Sequence, residues 1–449
     1  MTHSTSIEGL TPIDALMPRS YIRVVLVFED ATNQRAQSTK FLQSGLNAIS
    51  KEIPWLSGRV LPRTSAAGEP YSLEIRWYGH TTPTLIDKGT IDISYDTISA
   101  NGIQPESIPE TVWPVLGMID EFPYTAGAPV FAASTFCFAD RGLGLCICMH
   151  HNAVDGAGFS EIIRHWGRAI AEPGRAIPSS FERRCERLTA ALADDLAETL
   201  STSTDGLFEK HPEYSRLPPA VPETFSSYAC KLFTVSLNWI DTLKSLLAKH
   251  TSTPSSTNTI LNALLWTTIT RVRTKSGSLS REIDQTSPFS PPDAPYLGNA
   301  IIYALAEFST PALTAADESP IRSLAEICTT ILNSQYPLTI DARHIAEVHE
   351  LATHTGDPGA LFVGWDLFNS GDLTITSWAD FGLYEVDFGP GLGGQVLCVC
   401  RYMEADGVVI VLPRRRGEGE KGVEVIVMLR RDHMDVLVED EMWRTLTES

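Results

Sequence analysis

The 449-residue chain has no run of about 18 apolar residues, so a membrane-spanning helix is not expected. Its beginning, Met1-Thr2-His3-Ser4-Thr5, lacks the basic and apolar regions of a signal peptide. Its last residues, Leu446 to Ser449, form neither a peroxisomal tripeptide nor a lipidation box, which leaves the cytoplasm as the expected location. Positive charge is scarce. Lys and Arg number 35 against 55 Asp and Glu, for a net charge of −20. Binding to nucleic acid or an anionic membrane needs clustered cations, so neither is expected as a partner. The one dense basic run, Arg414-Arg415-Arg416, is followed by Glu418 and Glu420 and reads as a solvated loop. The G-x-S-x-G turn that presents a nucleophilic serine is missing. C-x2-C spacing is missing too. Cys146/Cys148 and Cys398/Cys400 are C-x-C pairs in apolar runs, with both sulfurs of a pair on one sheet face. They read as buried free thiols in a reducing compartment, and no metal is expected.

What the chain does have is apolar mass. Apolar residues make up 43% and charged residues 20%, enough for large cores and a length that fits two domains of roughly 200 residues. Strands are predicted at 22–28, within 60–77, at 130–138 and at 143–149, and helices at 39–53 and 158–171. From 172 to 226, prolines, Pro173-Gly174 and the run Ser201 to Gly206 interrupt a helical stretch and suggest a crossover. Beyond it come a strand near 229–236, helices at 238–250 and 258–273, and a Pro- and Ser-rich loop at 276–295. A strand at 298–308, helices near 319–353, and strands at 373–378, 395–402, 407–412 and 422–429 complete the pattern. Strands and helices are mixed rather than strictly alternating, so the expected class is α/β with mixed sheets. The expected division is an N-terminal domain 1–185, a linker 186–226 and a C-terminal domain 227–449.

One segment carries chemistry. His150-His151-Asn152-Ala153-Val154-Asp155-Gly156 follows the apolar strand Gly144 to Met149 and precedes a helix. Such a turn holds side chains at a cleft on a rigid sheet. Transfer of an acyl group from a thioester to an alcohol needs a base for the acceptor proton, a task suited to histidine near neutral pH. A carboxylate four residues after His151 can curl back to hold the imidazole. Gly156 and Gly158 are expected to permit unusual backbone conformations. The same residues admit a structural histidine pair, or a metal site completed by His344, His349 or His354.

The chain resembles the BAHD-type acyltransferases, in particular the fungal branch that includes the trichothecene acetyltransferases. The likeness runs through Leu10-Thr11-Pro12-Ile13-Asp14, Ile53 to Val60, the histidine motif, Ser256-Thr257-Asn258, Tyr296-Leu297-Gly298-Asn299, Thr376-Ser377-Trp378 and Asp387-Phe388-Gly389-Pro390-Gly391. It implies two chloramphenicol-acetyltransferase-like domains with a channel at their interface. An acyl-CoA co-substrate, acetyl-CoA by preference, and a small-molecule acceptor presenting a hydroxyl or an amine would meet there in a monomer. It implies His151 as general base and structural roles for Asp155, Gly156, Asp387, Gly389 and Gly391. Ser377, Asn299 and Thr257 become candidate contacts to acyl-CoA or to the oxyanion. Phe122, Tyr124, Trp365 and Phe368 suggest an apolar acceptor pocket.

Two departures stand out. Pro390 replaces the family's tryptophan, and Thr286 occupies the position of the arginine that pairs with Asp387. A buried Asp387 would then need another cation, with Arg271 or Arg273 as candidates. This motivates an alternative, that the fold serves a cyclase or isomerase of polyketide or peptide biosynthesis that uses no coenzyme A. A binding protein without activity and a peptide-synthetase condensation domain are weaker readings.

Overall fold

The computed structural model describes residues 5–28, 35–63, 72–79, 81–99, 103–120, 125–174, 184–199, 203–273, 279–286, 295–314, 320–335, 338–355, 361–366, 368, 371–392, 398–400, 405–416 and 422–447. Two large sheets organise it. The first runs in the order Cys398–Cys400, Tyr21–Phe28, Leu143–His150, Phe131–Cys137, Ile86–Thr90, with antiparallel pairs except the last. Tyr21–Phe28 and Leu143–His150 are buried along their whole length, as expected of central strands with continuous apolar sequence. The second runs Tyr228–Ser236, Gly422–Arg430, Val408–Val411, Leu373–Ser377, Leu279–Thr286, Ile302–Ser309, and mixes antiparallel and parallel pairs. A four-stranded sheet (Thr5–Gly9, Leu73–Tyr78, Arg59–Pro62, Ala128–Pro129) and a two-stranded one complete the set. The class is the expected mixed α/β.

The two halves interpenetrate. Cys398–Cys400, expected among the C-terminal strands, pairs with Tyr21–Phe28 in the first sheet. Phe388 and Leu392 join the core built on that sheet, and Phe388 meets Phe28 edge-on at 5.2 Å between ring centres. Among the described residues the crossover forms the short helices Arg184–Ala191, Ala193–Thr199 and Thr204–Lys210 and the strand Tyr214–Ser215. Leu188 and Leu207 from these helices, with Leu192 between the first two, share a third core with Ile13, Ile302 and Val348.

Two expected elements are corrected. The loop at 276–295 contains the strand Leu279–Thr286, placed centrally between two neighbours. The strand expected from 298 begins at Ile302, because Asn299 and Ala300 are occupied with the histidine turn. Residues 66–70, where a turn between the strands within 60–77 is expected, and the aromatics Phe122 and Tyr124 lie outside the described residues. Cys146 and Cys148 are buried free thiols, and burial pushes that of Cys148 up to about 12. No helix among the described residues is long and apolar enough to cross a membrane.

Candidate active site

His150 closes the buried strand, and the chain turns at His151 to Val154 into the helix Gly156–Ala171. That helix buries Phe159, Ile162, Ile163 and Trp166 along one face, which anchors its N-terminus beside the strand end. The two histidines differ in kind. His150 is fully buried, accepts from the Asn152 N–H on Nδ1 at 3.2 Å, and meets Tyr21 edge-on at 5.6 Å. Burial and the neighbouring His151 hold its pKa down to about 3, so it is a neutral packing residue. His151 is 7% exposed at the turn itself. Its N–H donates to Ser20 O at 2.9 Å, and its carbonyl accepts from Asn299 Nδ2 at 2.8 Å. Main-chain atoms thus fix where the imidazole sits.

Asp155 does not hold that imidazole. It caps the motif helix, accepting from Gly158 N–H at 2.9 Å on Oδ1, and it accepts from Ala300 N–H at 3.0 Å on Oδ2. One carboxylate therefore ties the start of the helix to a segment 145 residues away. Burial raises its pKa from the ordinary 3.8 to about 6, against the lowering effect of those N–H groups. The folded chain binds this proton more tightly than the unfolded chain does. Asp155 therefore contributes most to stability at acid pH, and that contribution is lost as pH rises through about 6. Denaturation of wild type and Asp155→Asn across that interval should show a steeper fall of stability with pH in the wild type. Equal slopes would contradict the assignment.

A residue quoted only as part of an N-terminal motif proves central. Asp14, fully buried, accepts from Thr11 N–H at 2.8 Å, Asn299 N–H at 2.7 Å and Asn299 Nδ2 at 2.9 Å. Its carbonyl, with that of Met17, takes both amide protons of Asn152. Burial raises its pKa, and the charge of Arg184 opposes the rise. Arg184, from the crossover, is itself buried. It donates to Ala153 O at 2.6 Å and to Glu8 Oε1 at 2.8 Å, and lies over the Trp55 ring at 4.9 Å. The basic run Arg183-Arg184 was the only sequence signal for it.

The glycines of the motif act through space rather than dihedral freedom. Neither Gly156 nor Gly158 has a positive φ. A Cβ on Gly156 would lie 2.7 Å from Phe381 Cε2 and 3.1 Å from Trp378 Nε1. Gly156→Ala is expected to cost about 1–3 kcal/mol by overpacking, measurable by urea denaturation; an unchanged midpoint would contradict this contact. Gly389 does have a positive φ, +77°, and Gly391 approaches the Phe41 ring.

The remaining expected contacts separate. Both side-chain protons of Asn299 are used, on Asp14 and on the His151 carbonyl, so it positions the turn and has no side-chain donor left for an oxyanion. Ser377 ends its strand next to Trp378, which borders the motif helix. Thr257 opens its helix and accepts from Lys244 Nζ at 2.8 Å. Asp387 is exposed rather than buried, and accepts from Gly389 N–H at 2.7 Å. Arg271 pairs with Asp440 and Arg273 with Asp406, so neither substitutes for the expected arginine. An exposed carboxylate needs no buried cation, which removes the concern raised by Thr286. Trp365 packs on Tyr303 and Phe368 on Phe225, and neither lines the cavity beside the motif.

That cavity, about 300 Å³, lies between the motif helix and the segments 295–300 and 380–381. Asp155, Ser160, Arg164, Tyr296 and Phe381 are among its lining residues. The hydroxyls of Ser160 and Tyr296 are buried without a hydrogen-bond partner among the described residues.

The sequence profile of the Transferase family matches residues 110–443, and that of the trichothecene 3-O-acetyltransferase-like N-terminal domain matches 20–169. The chain belongs to this family, the BAHD-type acyltransferases. Similar relatives include trichothecene 8-O-acetyltransferase of Fusarium sporotrichioides, 25% identical over 480 residues and covering 96% of each chain. O-acetyltransferase ptmV of Penicillium ochrochloron is 23% identical, covering 98% of this chain and 96% of that protein. Among solved structures, F. graminearum TRI101 complexed with ethyl coenzyme A superposes with a TM-score of 0.79 at 18% identity, over 99% of both chains. Vinorine synthase superposes at 0.65 and 15% identity, over 98% and 94%. The fold is that of the family.

Proposed function

We propose that this acyltransferase is an acyl-CoA-dependent O-acetyltransferase acting on a hydroxyl of a small secondary metabolite, with His151 as general base. The observation that carries the reading is the turn itself: contacts from Asn299, Ser20 and Arg184 clamp its main chain at the end of a buried strand. His151 takes the acceptor's hydroxyl proton as the oxygen attacks the thioester carbonyl. The tetrahedral intermediate collapses with cleavage of the carbon–sulfur bond, and the thiolate leaves with the proton held on His151. Acetyl-CoA as donor is supported by the O-acetyltransferase names of the relatives and by coenzyme A in the TRI101 complexes. Other TRI101 complexes hold coenzyme A together with T-2 mycotoxin or deoxynivalenol.

The reading places units 1–185 and 227–449 around the site, with 186–226 joining them. It has the chain work as a monomer in the cytoplasm. The test is a calorimetric titration with coenzyme A. Binding in the micromolar range is expected; no heat at millimolar ligand would return the cyclase or isomerase reading to first place.

A further inference from the structure

Away from the histidine motif, two other histidines and a glutamate converge behind the helix that carries Asp14. His211 and Glu213 lie between the helix Thr204–Lys210 and the strand Tyr214–Ser215. His344 comes from the first turn of Ala342–His354, a helix that packs against Pro12–Leu16. The side chains of His211 and Glu213 are buried, and that of His344 is 13% exposed. His211 Nδ1 lies 2.9 Å from Glu213 Oε1, and His344 Nε2 lies 3.0 Å from the same oxygen. The second approach is close but lacks hydrogen-bond geometry, leaving that nitrogen without a proper partner. The two rings meet edge-on at 4.6 Å between centres, and one nitrogen of each faces Glu213 Oε1.

We infer that His211, Glu213 and His344 form a binding site for a divalent transition-metal cation, with Zn²⁺ as the best match to the donors. Two imidazole nitrogens and one carboxylate oxygen are a zinc donor set, with a fourth position for water. Bonds of about 2.0–2.1 Å in a tetrahedron imply ligand–ligand edges of roughly 3.3 Å. The two edges present are within a few tenths of that, and all three ligand atoms lie within 4.8 Å of one another. The outer partners are also in place. His211 Nε2 lies 3.2 Å from Glu347 Oε2, the carboxylate–histidine arrangement that fixes the tautomer of a ligating imidazole. Glu347 is in turn held by Lys210 at 2.7 Å and Arg343 at 3.2 Å. The cation would join the crossover to the C-terminal half and brace the wall against which the Asp14 helix rests. It is separate from the acyl-transfer step.

The test uses the full chain without a metal-affinity tag, loaded with ZnCl2, dialysed against metal-free buffer and assayed by elemental mass spectrometry. The expected result is one zinc per chain, and a thermal midpoint above that of chelator-treated protein. His344→Gln and Glu213→Gln should each lower zinc affinity roughly tenfold or more. His151→Ala should keep its zinc. Co²⁺ added to the wild type should give the intense visible bands of a four-coordinate site, a readout that needs no variant. Wild type that retains no zinc and shows no such bands overturns the inference, and the cluster is then an ion-pair staple. Zinc lost in His151→Ala but kept in His344→Gln also overturns it, by moving the metal to the motif.

Discussion

Replacing His151 by alanine is expected to lower kcat about 10²–10⁴-fold while leaving the fold and coenzyme A affinity in place. The side chain is nearly buried, but the hydrogen bonds that fix the turn run through its N–H to Ser20 and its carbonyl to Asn299. Those survive the substitution. Thermal midpoint and calorimetric affinity should therefore stay close to wild type while transfer collapses. Full activity in His151→Ala would remove the base. His150→Ala should behave differently, because His150 is a fully buried neutral residue packed on Tyr21. Its loss should show first in stability, as other large-to-small core changes do.

Asp14→Ala carries the largest expected loss of stability, about 3–5 kcal/mol by chemical denaturation. The truncation leaves the N–H groups of Thr11 and Asn299, together with the Asn299 side-chain amide, without their acceptor. Each orphaned buried donor costs about 1–3 kcal/mol. It also removes an anion facing buried Arg184. Because Asn299 leans on the Asp14 carboxylate to hold the His151 carbonyl, kcat should fall as well. Asp14→Asn keeps the shape and some accepting capacity and should lose less on both counts. A destabilisation below about 1 kcal/mol for the alanine variant would show that the network is dispensable.

The parts of this architecture that were legible in the sequence are those where local pattern and tertiary environment agree. Leu143–His150 is apolar throughout and buried throughout, and the helix Gly156–Ala171 shows its core face in its spacing. Leu279–Thr286 was missed because its residues are polar. Glu282 and Asp284 are buried on a central strand, where Asn262 from one helix and Gln335 just past the end of another donate to them. Both carboxyls are raised by burial, that of Asp284 to about 7. Tertiary partners there override a pattern that reads as loop. The histidine motif was recognisable, yet its geometry was not. Asp155 sits four residues from His151, but its acceptor oxygens serve Gly158 and Ala300, and the second partner is visible only once the halves are brought together. Arg184 shows the same limit. A residue in a Pro- and Ser-interrupted stretch reads as linker, and the fold inserts it beneath the motif turn. Exposure decided the Asp387 question, because a carboxylate in water needs no arginine.

The most direct measurement follows free thiol and acylated product together in one reaction of the wild-type chain with acetyl-CoA and a panel of small hydroxylated acceptors. The account predicts that an acceptor gains an acetyl ester, that coenzyme A appears one for one with it, and that no product forms when the thioester is withheld. Conversion of a substrate without acyl-CoA, with no thiol released, would contradict it.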